Sequence, residues 1–216
     1  MDRRSFLQMS AATAVSLGLP YAAFSAVEHS KNTVNISRQI VLDIGTTGND
    51  LKLGCRIAEV ACVGLIDHKI TGRCFHHYIN PEHEIDPDVQ QVTGLTSSFL
   101  QKKPKFMEIA PALLEFISGA ELIIHSAPLA VGFLNNELEL AGLPALCNYC
   151  PSVIDLWKLA GELRPNVWNY HGLGALIYRY EIDVNPLYVP SSALADAELL
   201  AEIYLAMTKD QAISAS

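Results

Sequence analysis

Positively charged residues are scarce in this sequence. Its 216 residues include 15 lysines and arginines against 23 aspartates and glutamates, which gives a formal net charge of −8. An acidic surface repels the phosphate backbone at long range, so nucleic acid would have to be held by a local basic patch or by metal ions. The only candidates for such a patch are Lys102, Lys103 and Lys105. A solvated loop is the alternative explanation of that run.

Cysteine is too rare for a fold held together by disulfides. The five cysteines are odd in number, and only Cys147 and Cys150 form a C-x-x-C motif. No second pair follows at the spacing of a zinc site, and the strand-to-helix setting of a thioredoxin-like motif is absent. We therefore expect two ordinary thiols, and a local disulfide is the alternative if the protein is exported.

The sequence also lacks a glycine-rich phosphate loop, a nucleophile elbow and an apolar run long enough to span a membrane. Half of its residues are hydrophobic and 18% are charged. This composition is typical of one globular domain with a single sizeable core.

The N-terminus carries an export pattern. Paired arginines, Arg3 and Arg4, precede Phe6 and Leu7, and an uncharged apolar segment then ends in the small residues Ala23-Phe-Ser25. This order predicts a twin-arginine-type signal peptide over residues 1–25, followed by a polar linker over residues 26–37. The predicted location is the periplasm or another exported compartment, with no stable membrane span once the signal is removed. A cytoplasmic protein with a disordered leader is the alternative.

Hydrophobic periodicity predicts an α/β domain after the linker. Alternating and aliphatic runs predict three consecutive antiparallel strands and then two parallel ones, and apolar residues at helical spacing predict helices between and after them. The strands are expected near 38–43, 56–66, 75–79, 121–125 and 153–155, and the main helices near 105–118, 156–163, 173–180 and 193–207. Pro111 is expected to remove one backbone hydrogen bond from the first of these helices and to kink it.

The stretch from Arg38 to Gly48 carries the candidate site. A buried strand ends in Asp43 and is followed by Gly45, Thr46 and Thr47, so one carboxylate is presented at the open end of a sheet. Such a position suits a metal ligand.

This stretch resembles the first motif of the DEDDh family of 3′-5′ exonucleases, in the branch of the proofreading epsilon subunits of DNA polymerase III. There the strand ends Asp-x-Glu-Thr-Thr-Gly, and both acids bind the two divalent ions that activate water. Gly45 stands where the family has glutamate. The segments 119–125, 179–183 and 199–207 extend the resemblance. It implies a ribonuclease H-like exonuclease fold, with a mixed five-stranded sheet flanked by helices, over residues 38–208 and a tail over 209–216.

The second and third family motifs are also altered. The family's Asn-Ala-x-x-Asp, in the first turn of a helix, is replaced here by a segment in which Ala130 occupies the aspartate position. Glu137, two turns farther along, is interpreted as a helix-surface carboxylate. In the third motif Asp196 is retained, and Ser191 stands where the family's histidine takes the proton from water.

The resemblance also implies which residues line a substrate cleft and which function is expected. The cleft positions carried over from the family are Thr46, Thr47, Thr93 and His125. Two of five catalytic positions remain, Asp43 and Asp196, so we expect at most one weakly bound Mg²⁺ or Mn²⁺ and no required cofactor. The expected role is an inactive binding or interaction module for an unknown protein or nucleotide, with weak nucleic acid binding. The alternative is an active 3′-5′ exonuclease using Asp43, Asp196 and further ligands that the sequence does not identify.

Histidines and aromatic residues remain outside these motifs. His76, His77, His125 and His171 match no metal-ligand spacing and are expected at the surface or at strand ends. The aromatic side chains could stack on bases, but their helical spacing without interleaved basic residues favours core and rim packing. These side chains are Trp157, Trp168, Tyr170 and Tyr178.

Overall fold

The computed structural model describes residues 38–163, 171–184 and 192–214, with side chains described as far as residue 209. The predicted signal peptide, the predicted linker and Ser191 therefore lie outside the described residues. Within these ranges no helix combines the length and the apolar character needed to cross a bilayer.

Five strands form one mixed sheet in the order β3-β2-β1-β4-β5. β1, β2 and β3 form an antiparallel meander, whereas β4 runs parallel to β1 and β5 runs parallel to β4. The strands are β1 (Arg38–Thr46), β2 (Ile57–Ile66), β3 (Lys69–Tyr78), β4 (Glu121–Ile124) and β5 (Val153–Asp155). The predicted architecture is confirmed.

The third strand begins earlier than the sequence predicted. Between β2 and β3 the chain reverses over Asp67 and His68, whose φ angles are 48° and 56°. Two successive residues with positive φ are the requirement of the tight hairpin turn that matches the twist of antiparallel strands. Pairing therefore resumes at once, with Lys69 opposite Ile66, rather than near Phe75.

Seven α-helices are described, and two single-turn 3₁₀ helices lie at Leu51–Leu53 and Leu146–Asn148. The third α-helix continues through Pro111, and the last extends to Ser214 rather than ending near residue 207. They are α1 (Pro87–Thr93), α2 (Ser97–Leu100), α3 (Phe106–Ile117), α4 (Ala127–Leu140), α5 (Leu156–Leu163), α6 (Leu173–Arg179) and α7 (Ala193–Ser214).

The sheet is covered on both faces, because successive side chains of a strand point to opposite sides. Ile40 and Leu42 pack in one core with α3 and α4. Val41 packs in a second core with α5, α6 and α7. Asp43 follows Val41 with one residue between them, so it lies on the face covered by α7. Because side chains alternate along β1, the carboxyl of Asp43 thus lies on the side of the sheet that α7 covers.

Candidate functional site

Asp43 lies near the end of β1 and is partly buried. Its pKa is raised to about 8 from the ordinary 3.8, chiefly by burial, then by the negative charge of Asp196 and, to a smaller extent, by that of Glu59, against a hydrogen bond from the Ile44 N–H that lowers it. This carboxyl is therefore mostly protonated at neutral pH, and a cation would have to displace that proton in order to bind.

Asp196 lies in the first turn of α7. Its backbone N–H donates to the carbonyl oxygen of Ser192 at 2.9 Å. The apolar side of this helix packs in the second core, on Val41 and Ala61 of the sheet. The two carboxyls that the sequence predicts to share a site are thus brought together by packing of the last helix on the first two strands.

Gly45 faces a third carboxylate. It is the cross-strand partner of Glu59 on β2, next to an irregularity in the register between β1 and β2. A Cβ atom added to Gly45 would lie 3.2 Å from the Glu59 Cβ and 3.6 Å from its Oε2. The position where the family carries glutamate is therefore closely approached by another glutamate of the same sheet face.

Glu59 is bound to a histidine rather than exposed to a ligand. Its side chain is 1% exposed, and its Oε1 lies 2.7 Å from His76 Nε2. Ser192 Oγ donates to the same oxygen at 3.4 Å. Burial, and then the charge of Glu59, raises the pKa of Tyr78, while a hydrogen bond with Ser192 lowers it. The open end of this sheet face therefore holds a histidine–glutamate pair beside Asp43.

Ala130 lies in the first turn of α4, as the family motif predicts, and is 6% exposed in the first core. Glu137 on the same helix is not a surface carboxylate, and that interpretation is wrong. It is 2% exposed and accepts two hydrogen bonds of 2.7 Å from Arg56 and one of 3.2 Å from the Ile57 N–H. Helix periodicity placed Glu137 correctly along α4, but only the packing of β2 against α4 shows its partner.

The four predicted cleft residues differ in accessibility. Thr46 is partly exposed, whereas Thr47 is fully buried, with its hydroxyl 3.1 Å from His83 Nδ1 and accepting from the Arg56 N–H at 3.0 Å. Thr93 donates its hydroxyl to the Val89 carbonyl oxygen at 2.8 Å and accepts from the Leu95 N–H at 3.1 Å. The hydroxyls of Thr47 and Thr93 are thus used in hydrogen bonds within the protein.

His125 forms a cluster at the end of β4. Its Nε2 lies 2.7 Å from the carbonyl oxygen of His171, and its ring centroid is 5.7 Å from that of Trp157. His171 is 6% exposed, so its predicted surface position is wrong. Its Nδ1 lies 3.4 Å from Arg179 NH1. The ring of Trp157, which follows β5 in the chain, thus lies against His171 and helps to bury this loop histidine.

The aromatic side chains are more exposed than core and rim packing predicts. Trp157 is 43% exposed and Tyr178 is 88% exposed, while Trp168 and Tyr170 lie outside the described residues. The lysine run is only partly a solvated loop, because Lys103 Nζ lies 4.1 Å from the ring centroid of Phe99. Lys105 is paired with Glu82 at 2.5 Å. Lys105 is thus paired with an acid, whereas Lys103 packs on an aromatic ring.

The paired metal ions implied by the family do not fit these residues. Two divalent cations need several ionised carboxylates, whereas Gly45 and Ala130 supply none and Asp43 is mostly protonated. The carboxylate of Glu59 is already engaged by His76. Among residues 38–163, 171–184 and 192–209, no three histidine, cysteine or acidic side chains are grouped so as to hold a metal ion.

Sequence reasoning missed Glu59 and set His76 aside as a surface or strand-end histidine. One signal was available, because Glu59 is a lone charged residue inside an otherwise apolar strand. A charge in such a strand is expected to have a specific partner, since its burial is costly. The partner itself could not be read from the sequence, because His76 reaches Glu59 only through the cross-strand register in which Ala61 lies opposite His76.

Comparison with known proteins identifies the family. A family model described as Exonuclease matches residues 40–204. DNA polymerase III subunit epsilon of Escherichia coli strain K12 is 40% identical over 182 residues, covering 82% of this chain and 73% of the relative. The corresponding subunit of Buchnera aphidicola is 42% identical over 181 residues, covering 81% and 72%.

Solved structures agree on the fold. The nuclease domain of 3′hExo, a DEDDh family member bound to rAMP, has a TM-score of 0.71 at 19% identity, covering 82% of this chain and 94% of that one. Exonuclease X in complex with 5′ overhanging duplex DNA has a TM-score of 0.62 at 21% identity, covering 81% and 93%. The predicted resemblance is therefore confirmed, and the chain belongs to the exonuclease family.

Proposed function

We propose that this exonuclease-family chain does not cleave nucleic acid and that its cleft is a binding site for a nucleotide or a partner protein. The main support is the environment of Gly45. The carboxylate beside this residue belongs to Glu59, and its Oε1 lies 2.7 Å from His76 Nε2, so this oxygen is engaged by a side chain of the protein. The altered positions at Ala130 and Ser191 add to this support.

The chemistry of the retained residues points in the same direction. A metal ligand must be ionised, and the raised pKa of Asp43 makes cation binding compete with a proton. A general base must titrate near the working pH, which a serine at position 191 does not do. A nucleotide is the favoured small ligand, since one structural relative is described as bound to rAMP. The net charge of −8 favours a short ligand over a long polyanion.

A nuclease assay with the full chain tests this proposal. We expect no nucleotide release from labelled single-stranded DNA or RNA in Mg²⁺ or Mn²⁺, and saturable AMP binding by calorimetry in the presence of a chelator. Asp43→Ala serves as the matched variant. Release of nucleotides that disappears in Asp43→Ala would overturn the proposal of inactivity.

One observation favours the alternative of an active exonuclease. Glu59 and His76 lie beside Asp43, so they are candidates for the further ligand and base that the sequence did not identify. If this alternative holds, Glu59→Gln and His76→Gln each abolish a metal-dependent activity that the parent chain has. The two candidate functions are thus distinguished by one set of variants.

We also propose export by the twin-arginine route, supported by the order of Arg3-Arg4, the apolar segment and the small residues at 23–25. Replacing both arginines by lysine keeps the charge but removes the feature that the transport machinery reads. We expect the parent chain in the periplasmic fraction and the variant in the cytoplasm. Arg73→Lys is the control, and equal fractionation of all three would refute export.

A further inference from the structure

The C-x-x-C segment, residues 147–150, lies in a helical turn shortly before β5. Cys147 is inside the 3₁₀ helix Leu146–Asn148, and the Tyr149 N–H donates to the Leu146 carbonyl oxygen at 2.9 Å. The Cys150 N–H reaches the same oxygen at 3.2 Å. The chain therefore keeps its helical course from the first cysteine to the second.

This course brings the two cysteines within bridging range. In a 3₁₀ helix, side chains three residues apart eclipse each other, and the rise per residue places their Cα atoms about 6 Å apart. An α-helical turn gives about 5 Å. A disulfide requires Cα atoms separated by about 4.4 to 6.8 Å. No large movement of the backbone is needed to join Cys147 and Cys150.

The two thiols differ in the way that an attacking and a resolving cysteine differ. Cys147 is exposed, and Asn148 Nδ2 donates to its Sγ at 3.8 Å. Cys150 is 5% exposed, and its Sγ donates to the Ile117 carbonyl oxygen at 3.5 Å. Burial raises the pKa of Cys150 to about 11, against a lowering by the charge of Arg38. External reagents therefore meet Cys147 first.

We propose that Cys147 and Cys150 are a thiol–disulfide exchange site, in which Cys147 attacks an external disulfide and Cys150 resolves the product. The Cys147 thiolate forms a bond to one sulfur of the oxidant and releases the other as a thiolate. Cys150 then gives its proton to solvent, bonds to Cys147 Sγ and releases the second thiolate. The protein loses two protons and two electrons, and the external disulfide is reduced to two thiols.

The remaining cysteines provide internal controls. Cys74 is exposed on β3 and has no cysteine at this spacing, so it should stop at a mixed disulfide. Cys55 and Cys62 are 3% and 0% exposed and should not react in the folded chain. A reagent that merely modifies accessible thiols would treat Cys147 and Cys74 alike, whereas an exchange site would treat them differently.

The test is peptide mapping of the full reduced chain after treatment with oxidised glutathione under native conditions. We expect Cys147 and Cys150 to be recovered as a disulfide with each other, and Cys74 to be recovered as a mixed disulfide with glutathione. In Cys150→Ser, glutathione should accumulate on Cys147, and in Cys147→Ser none should appear on Cys150. A persistent glutathione adduct on Cys147 of the parent chain, or a bridge joining Cys62 to Cys150, would overturn the proposal. Because the parent result needs no variant, misfolding of a variant leaves the test intact.

Discussion

Glu137 and Glu59 are both almost fully buried, but their surroundings differ in charge. Glu137 is held by two nitrogens of the Arg56 guanidinium and by a backbone N–H, so each of its carboxylate oxygens accepts a hydrogen bond. Glu59 meets one histidine and a distant serine, and its charge helps to raise the pKa of Asp43. The charge of Glu137 is thus compensated by Arg56, as in a structural ion pair. Glu59 instead lies in an acidic cluster with Asp43 and Asp196.

The difference separates stability from function. A bidentate ion pair whose carboxylate is buried holds β2 against α4, whereas a carboxylate among other carboxyls tends to lower stability. Groups with strongly perturbed pKa values cluster at functional sites, and Asp43, whose pKa the charge of Glu59 helps to raise, is such a group. The contrast therefore assigns Glu137 to the scaffold and Glu59 to the candidate site, and the variants below test that assignment.

Glu137→Gln should have the largest effect. It leaves the Arg56 guanidinium, whose side chain is 23% exposed, without its counter-charge, and losing charge-assisted hydrogen bonds of this kind costs up to about 3 kcal/mol. Urea denaturation at neutral pH measures the loss. Glu139→Gln, an exposed residue on the same helix, is the matched control. Equal stability of the two variants would show that Arg56 and Glu137 do not hold β2 and α4 together.

Adding the missing family side chains should convert the acidic cluster into a cation site. Gly45→Glu, Ala130→Asp and Ser191→His together restore the two carboxylates and the histidine of the family motifs, although Glu59 must shift slightly because the new Cβ at position 45 lies 3.2 Å from its own. Mn²⁺ at one hundred times its dissociation constant then stabilises the variant by about 2.7 kcal/mol. Thermal unfolding measures this gain. A folded triple variant that ignores Mn²⁺ would show that the cleft has departed from the family.

The pH dependence of stability should report Asp43. Because its folded pKa is raised to about 8 from 3.8, the folded state holds a proton that the unfolded chain releases, so its contribution to stability is full below 3.8 and is lost as pH rises to about 8. Each pH unit in that window costs at most about 1.4 kcal/mol. Asp43→Asn should remove this decline, as urea denaturation at several pH values would show. Glu115→Gln, exposed on α3, should keep it.

Glu59→Gln should have the smallest effect on stability, below about 1 kcal/mol. The amide keeps a hydrogen bond with His76 and removes a negative charge from the cluster, so the two consequences partly offset each other. The pH-dependent decline attributed to Asp43 should become slightly shallower, since Glu59 is the smaller of the two charges that raise its pKa. A loss as large as that of Glu137→Gln would contradict the assignment of Glu59 to the site.

The sequence predicted most of the fold because its signals are local. β-branched and aliphatic runs marked the five strands, and apolar spacing marked the flanking helices. The turn at Asp67–His68 was predicted, and the main local miss was the start of the third strand, which pairs from Lys69 onward rather than near Phe75. The motif positions Asp43, Ala130 and Asp196 were placed by resemblance, and their elements are as expected.

The sequence by itself determined the five-stranded architecture, the two carboxyls at 43 and 196, and the absence of an acid at 45 and 130. Only the tertiary structure decided which charged groups meet. The pairing of Gly45 with Glu59 depends on strand register, and that of Arg56 with Glu137 depends on how α4 packs on β2. These partners are far apart along the chain, and a register shift of one residue would turn Glu59 to the opposite face of the sheet. Contacts of that kind are decided by packing of the whole domain, which no local pattern encodes.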